Sequence, residues 1–258
     1  RRHTRYWRDW SSDVCSSDLR DISFTLAVDD FGACYKNKND AEHLIKTLEE
    51  HYPIKADWKG NKYIGIDLDW DYDNKILVTS MKGYVKKALL QFKHETPTKP
   101  YYSPSKYIPP KYGQKAQYAE IDDTDPMTGT EKHYLQQICG KFLYYARAVD
   151  DTMLHALNDL ASRQSDGTQA TIQAMLHFLN YAATNPNAEK TYRASDMILS
   201  IDSDAAYLVA PQARSRAGGF HYLGSRGGSL VSGPAAAIAK IAKSAAASAA
   251  EAEVGALF

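Results

Sequence analysis

The chain has 258 residues, of which 44% are hydrophobic and 24% charged, and its 31 basic residues balance its 31 acidic ones. This is the composition of a soluble globular protein of one or two domains, and net neutrality removes the simple argument for a nucleic-acid-binding protein, although charge can be segregated locally. Three separated cysteines without a Cys-x-x-Cys pair argue against a disulfide framework or zinc knuckle and indicate a reducing compartment, and no apolar run approaches the length of a membrane span.

Residues 1–19 differ from everything downstream, because they show neither a helical nor a strand period. The run Asp13-Val-Cys-Ser-Ser-Asp-Leu19 resembles the translation of a sequencing-library adapter. We therefore expect a non-native leader here, with a disordered natural arm as the alternative. The native sequence is then expected to begin near Arg20, as part of something longer.

The stretch Phe24-Thr-Leu-Ala-Val-Asp-Asp-Phe-Gly32 is an apolar strand pattern that runs into two adjacent carboxylates, Asp29 and Asp30. A buried strand that ends in two acids is costly unless a cation or hydrogen bonds compensate, so the pattern indicates a positive partner. The alternative is a surface turn that happens to hold two aspartates. A return strand from Gly32 to Tyr35 would place the acids at the tip of a β-hairpin.

Asn39 or Asp40 can cap a helix that ends before Pro53. Residues 62–80 then predict a second hairpin, with strands over residues 63–70 and 75–79. Aspartates alternate along it with apolar residues, and the period of two places them on one face. These are Asp67, Asp69, Asp71 and Asp73. The glycine and glutamate of a calcium loop are missing from their required places, which favours a solvated face.

Residues 83–92 predict an amphipathic helix that buries Val85, Ala88, Leu89 and Phe92. Between residues 82 and 115 lie eight lysines against one acid, interleaved with five tyrosines. Lysine on phosphate and tyrosine stacked on bases suit a nucleic-acid surface, while the prolines suit a soluble linker, and the two interpretations are compatible. The candidate nucleic-acid-binding residues are Lys82, Tyr84, Lys86, Lys87, Lys93 and Lys99.

Thr128 and Glu131 form a capping box that opens a helix. This helix is expected to bury Leu135, Ile138, Cys139, Phe142 and Leu143. Two further helices, over residues 152–163 and 168–183, carry apolar stripes that are more typical of a core than of a cofactor site. Three consecutive helices with short loops predict a helical subdomain.

The pattern then returns to a period of two. A strand over residues 197–207 ends in acids that include Asp204, and residues 216–223 predict its antiparallel partner. A glycine-rich loop over residues 224–233 and an alanine-rich segment follow. Residues 248–258 predict a helix that carries Glu251 and Glu253. On pattern alone Asp204 is either a turn acid or a ligand.

Taken together, these pieces resemble the C-terminal part of a Ty1/copia-type retrotransposon polyprotein, from within its reverse transcriptase into its ribonuclease H. Val28-Asp-Asp30 resembles the polymerase palm motif Tyr-x-Asp-Asp or Val-Asp-Asp, with Ala27 where the family commonly has tyrosine. Tyr63-Ile-Gly-Ile66 resembles the Phe-Leu-Gly-Ile hairpin of the family. Ser80-Met-Lys-Gly-Tyr84-Val resembles its Ser-Gln-x-x-Tyr-Ile helix start.

The second half of the chain carries the same resemblance. Ile138-Cys-Gly-Lys-Phe-Leu-Tyr-Tyr145 through Arg163 resembles the helical connection, although Ala148-Val-Asp-Asp151 stands where the family usually has Arg-Pro-Asp. The ribonuclease H strands and helix are matched by Ser203-Asp204-Ala-Ala, Ala217-Gly-Gly-Phe220 and Ala249-Ala-Glu251-Ala-Glu253. The segment over residues 234–250 is unusually rich in alanine and is a further departure from the family pattern. The order and spacing of these motifs make the resemblance specific.

The resemblance implies an α+β protein with a partial polymerase palm and thumb, a helical connection and a truncated ribonuclease H-like α/β domain. The implied boundaries, after the leader, are 20–95 for the palm and thumb portion, 96–127 for a basic linker, 128–188 for the connection and 189–258 for the ribonuclease H portion. The implied partners are an RNA template, a DNA primer, their hybrid, deoxynucleoside triphosphates and the remainder of the polyprotein, with no membrane. The implied location is a cytoplasmic particle or the nucleus.

The chemistry implied by the resemblance is phosphoryl transfer by two divalent ions, Mg²⁺ or Mn²⁺, which prefer carboxylate oxygens. Asp29 is then a principal metal ligand supported by Asp30, and the third palm acid belongs to an upstream strand absent from this sequence. Asp204 and Glu251 carry over as ribonuclease H acids, with Glu253 as the rival of Glu251 and two more acids expected beyond Phe258. The isolated chain is therefore expected to be inactive.

Two other functional classes share features with this sequence. Val28-Asp-Asp-Phe-Gly32 contains the Asp-Phe-Gly of protein kinases, but no Ala-Pro-Glu follows and the chain has no glycine-rich phosphate loop. The stronger alternative is a non-enzymatic remnant of a decayed element that binds nucleic acid through the lysine and tyrosine segment.

Overall fold

The computed structural model describes residues 14–16 as backbone, and residues 20–109, 112–113, 122–228, 231–243 and 245–257. Most of the predicted leader lies outside this part, as do Lys111 and Lys115 of the basic segment, part of the glycine-rich loop and Phe258. The chain separates into two compact units, the first ending at Asp69 and the second starting at Trp70. Its α+β class is confirmed, with small antiparallel sheets.

The first unit contains an antiparallel sheet in the order β1 (Val14–Ser16), β2 (Ile22–Ala27), β3 (Asp30–Tyr35). Strands β2 and β3 form the predicted hairpin, with Ala27 opposite Asp30. Helix α1 (Lys38–Glu49) follows, and the side chain of Asn37 caps it by accepting a hydrogen bond from the backbone N–H of Asn39. The cap therefore precedes both residues that the sequence predicted for it.

A short hairpin of β4 (Lys62–Tyr63) and β5 (Ile66–Asp71) completes the first unit, and β5 runs past Asp69 into the second. The sequence predicted one continuous strand over residues 63–70. The chain instead turns at Ile64 and Gly65, both with positive φ, and this local reversal splits the strand. Of the four alternating aspartates, Asp67 is half-buried and the other three are exposed, as expected for a solvated face.

Four helices pack together in the second unit: α2 (Tyr84–Gln91), α3 (Gly129–Ala148), α4 (Leu154–Ser162) and α5 (Gln169–Thr184). The predicted capping box at Thr128 and Glu131 is confirmed. Phe142 is fully buried, with its ring perpendicular to that of Phe178 at a centroid distance of 5.3 Å. The prediction that Leu143 is buried was wrong. Leu143 is the residue after Phe142, lies beyond the edge of the buried face of α3 and is 41% exposed.

Two antiparallel sheet segments flank these helices. Strand β6 (Ile76–Ser80) pairs with β7 (Glu189–Arg193), which the sequence did not predict. A second sheet has the order β10 (Pro234–Ile241), β9 (Arg214–Gly224), β8 (Ile198–Ala210), and α6 (Ala249–Ala256) packs against β8 and β9.

The predicted strands over residues 197–207 and 216–223, and the predicted helix near the C-terminal end, are confirmed by β8, β9 and α6. The alanine-rich segment forms β10, which the sequence did not predict. In the part of the chain that the structure describes, every helix is too short or too polar to cross a membrane.

Candidate functional site

The first candidate site is the tip of the β2–β3 hairpin, where Val28 and Asp29 form a two-residue turn between Ala27 and Asp30. The φ of Val28 is 60°, whereas that of Asp29 is not positive. This is the pattern of a type II′ turn, whose first central position favours glycine. A β-branched residue there is strained, and strained backbone is concentrated at functional sites.

Both carboxylates at this tip are exposed. The expectation of a buried strand that ends in desolvated acids was therefore wrong: in β2 only Ile22 is buried, and the hairpin carries Asp29 and Asp30 into solvent. The exposure means that neither side chain needs a positive partner for the hairpin to fold. It also means that both carboxylates are accessible to a ligand.

The hairpin has one apolar and one polar face, because side chains alternate along each strand. On the apolar face the rings of Phe24 and Phe31 lie 5.3 Å apart. On the other face the hydroxyl oxygens of Thr25 and Tyr63 are 2.8 Å apart. A Cβ at Gly32 would lie 3.1 Å from the Tyr63 ring, so the glycine allows the ring to pack directly on the hairpin backbone. These contacts fix the hairpin on β4.

The second candidate site lies in the second unit, where α6 packs against the strand that carries Asp204. Asp204 is exposed on β8, opposite Gly218 of β9. Glu251 lies in the first turn of α6, where its backbone N–H donates to the Ser248 hydroxyl at 3.1 Å. Its carboxylate accepts a hydrogen bond from the backbone N–H of Ala247 at 2.6 Å, so the fold already uses it to stabilise the helix start.

Neither acid pair forms a complete metal site within the described residues. No group of three or more His, Cys, Asp or Glu side chains in that part of the chain is arranged to hold a metal ion. Asp29 and Asp30 supply the hard oxygen ligands that Mg²⁺ or Mn²⁺ prefers, but a two-metal centre requires further carboxylates around the same point. The described residues thus fit part of such a centre and not the whole.

The candidate nucleic-acid-binding residues lie on and after α2. Lys82, Lys86, Lys87, Lys93 and Lys99 are exposed. Tyr84, in contrast, is packed: its ring is stacked on that of Tyr145 at 5.6 Å, and its hydroxyl donates to the carbonyl oxygen of Lys141 at 2.9 Å. Burial raises the pKa of the Tyr84 hydroxyl. The stacking by Tyr145 covers one face of the ring, so that face cannot stack on a base.

Sequence reasoning missed a buried polar cluster in the second unit. Lys190 of β7 is only 7% exposed, and its Nζ lies 3.0 Å from an Asp151 oxygen and donates to the carbonyl oxygen of Arg147 at 3.2 Å. Asp150 accepts hydrogen bonds from the backbone N–H and hydroxyl of Thr152, and its pKa is raised by burial. The two consecutive acids after α3, Asp150 and Asp151, were the available signal.

This cluster has the features of a structural network. Its charges are paired or hydrogen-bonded, as buried charges must be, and it joins the end of α3 to β7. It therefore stabilises the junction between α3 and β7.

Comparisons of this chain with protein-family models, with curated proteins and with solved structures found no match.

Proposed function

We propose that this chain is part of an RNA-directed DNA polymerase joined to a ribonuclease H, of the kind encoded by Ty1/copia-type retrotransposons. The observation that carries the proposal is the Val28-Asp29-Asp30 motif at the tip of an antiparallel hairpin, with both carboxylates exposed. Two accessible adjacent carboxylates on a strained turn suit a site of metal-dependent phosphoryl transfer.

The arrangement around Asp204 supports the second half of the proposal. An exposed acid on one strand of an antiparallel sheet, followed by a helix that packs on that sheet and carries Glu251, agrees with the order of elements that the resemblance implies. In this proposal Asp29 and Asp30 are metal ligands for polymerisation, and Asp204 and Glu251 are metal ligands for cleavage of the RNA strand of a hybrid.

The described residues do not complete either metal site, so we assign no reaction step to this chain alone. Its own contribution is to hold carboxylates at the surface and to bind the template strand through the lysines around α2. Deoxynucleoside triphosphates would enter at the polymerase site only in the longer polyprotein.

The test compares the isolated chain with a longer protein from the same reading frame that adds the upstream palm segment and the downstream sequence. With magnesium, the isolated chain is expected neither to extend a primer on an RNA template nor to cleave an RNA–DNA hybrid. In the longer protein, Asp29→Asn should abolish extension and spare cleavage, whereas Asp204→Asn should do the reverse. Asp69→Asn, at an exposed acid of β5, is the control and should spare both.

Three outcomes of this test would count against the proposed function. Robust turnover by the isolated chain would show that its polymerase or ribonuclease H site is complete. An active longer protein that tolerates both Asp29→Asn and Asp204→Asn would refute the assignment of these acids. Salt-dependent binding of hybrid by the longer protein without magnesium-dependent turnover would favour the non-enzymatic remnant.

A further inference from the structure

The segment that follows α2 lies along α5. Hydrogen bonds between the backbone of this segment and side chains of α5 and Asn185 hold it there. The backbone N–H of Tyr101 donates to the Thr184 hydroxyl at 3.2 Å, and the side-chain amide of Asn185 donates to the carbonyl oxygen of Tyr101 at 3.0 Å. A ring nitrogen of His177 lies 3.0 Å from the carbonyl oxygen of Ser103. An extended segment without regular structure is therefore fixed in place by the helix.

The anchoring directs neighbouring tyrosines to opposite sides. The Tyr101 ring packs edge-on against His177 at a centroid distance of 4.9 Å. Tyr102, the next residue, is 86% exposed, and Tyr107 is 77% exposed. Both rings are therefore accessible to a ligand.

The surroundings of these tyrosines are basic. Lys99 and Lys106 are exposed, and residues 96–109 contain no aspartate or glutamate. The stretch between Lys93 and Lys99 holds one acid, the exposed Glu95. It is anchored by His94, whose ring nitrogen lies 2.9 Å from the Asn180 side-chain oxygen on α5. The exposed lysines around α2 thus lead directly into the segment over residues 99–107, which we name the tyrosine strip.

We propose that the tyrosine strip and the lysines around α2 bind single-stranded nucleic acid. The lysines contact phosphates, and Tyr102 and Tyr107 stack on bases. Five residues of chain span at most about 17 Å, so the two rings can engage separate bases of one strand. A duplex is a poorer ligand, because its bases already stack on one another and offer side chains no free faces. The inference deepens the proposed function by naming a single strand, such as template, as the occupant.

The test is fluorescence anisotropy of the isolated chain with a labelled oligothymidylate and with a labelled duplex of the same length. Both titrations contain a metal chelator, because this binding needs no metal. Tyr102→Ala with Tyr107→Ala should weaken single-strand binding about ten-fold or more, whereas phenylalanine at both positions should preserve it. Lys86→Gln with Lys87→Gln should reduce the slope of log affinity against log salt by about 1.4, at about 0.7 per phosphate contact on a single strand.

The matched control is Tyr72→Ala, which removes a tyrosine of similar exposure, 75%, outside the tyrosine strip. It should leave binding unchanged, and circular dichroism should show that every variant is folded. Equal binding by the Tyr102→Ala, Tyr107→Ala variant and the wild type would overturn the proposal. So would a duplex bound as tightly as the single strand, or displacement of the oligonucleotide by polyglutamate at equal charge.

Failure of this inference can be told apart from failure of the proposed function. Binding here needs no metal and should survive Asp29→Asn and Asp204→Asn. Loss of turnover in the longer protein with intact single-strand binding would count against the enzyme assignment alone. Turnover that persists after removal of Tyr102 and Tyr107, with unchanged single-strand affinity, would count against the tyrosine strip alone.

Discussion

Val28 at the hairpin tip provides the sharpest test of the turn geometry. Its φ of 60° strains a β-branched residue, and its side chain is 89% exposed, so replacement by glycine removes strain and almost no burial. Relief of such strain is worth about 1–3 kcal/mol, and the extra backbone entropy that glycine loses costs about 0.5–1 kcal/mol. Val28→Gly is therefore expected to stabilise the hairpin by about 1 kcal/mol.

The assay is hydrogen exchange of the backbone amides that pair β2 with β3, because it reports opening of the hairpin separately from unfolding elsewhere. A stabilisation of about 1 kcal/mol slows exchange roughly five-fold. Val28→Ala keeps the Cβ that clashes in this conformation and should fall between the wild type and Val28→Gly. Amides of α3, in the second unit, serve as an internal reference and should not change.

The reasoning would be refuted by hairpin amides that exchange as fast in Val28→Gly as in Val28→Ala. That result would mean that the Cβ of Val28 is accommodated without strain. The turn would then be an ordinary surface connection, and one of the supports for a functional tip would be lost.

Three further predictions concern stability. Phe142 is fully buried while Leu143 is 41% exposed, so urea denaturation should show that Phe142→Ala lowers the free energy of unfolding by about 3–5 kcal/mol and Leu143→Ala by far less. Burial raises the native pKa of Asp150, so native protein binds this proton more tightly than unfolded protein, and the stability of the wild type falls as pH rises through that pKa. Asp150→Asn keeps a side-chain acceptor for the Thr152 hydrogen bonds and cannot ionise, so its free energy of unfolding should exceed that of the wild type at neutral pH. The difference should disappear below the ordinary carboxyl range, where Asp150 is protonated in both the native and the unfolded protein. Urea denaturation across pH measures it. Ser248→Ala removes the cap of α6 and should cost about 0.5–2 kcal/mol, with faster exchange of the α6 amides.

The helices could be predicted because their signals are local. The apolar stripe of α2 and the Thr128–Glu131 capping box depend only on spacing within one or two turns, and the buried faces follow from that spacing. The same reasoning misplaced Leu143, since a stripe predicts which side of a helix is apolar but not where its margin lies.

The missed strands depend on partners that are distant in sequence. Alanines favour helix, yet β10 forms because its backbone pairs with β9, with Ile241 opposite Arg216. In the same way β7 pairs with β6, with Tyr192 opposite Leu77. Local propensity carries no information about such pairing. The exposure of Asp29 is a similar case, because burial of a strand end depends on what covers the sheet.

The hydrogen-bond pattern separates acids that serve the fold from acids that the fold does not use. Among the described residues, the side chains of Asp29, Asp30 and Asp204 make no hydrogen bond or ion pair, so a ligand could engage them without disturbing the structure. Glu251 differs, because its carboxylate holds the start of α6 through Ala247. A metal bound there would compete with that hydrogen bond. If Glu251 is a ligand, metal binding and stability of the α6 start are therefore coupled, and Glu251→Ala, which removes both carboxylate oxygens, should weaken both together.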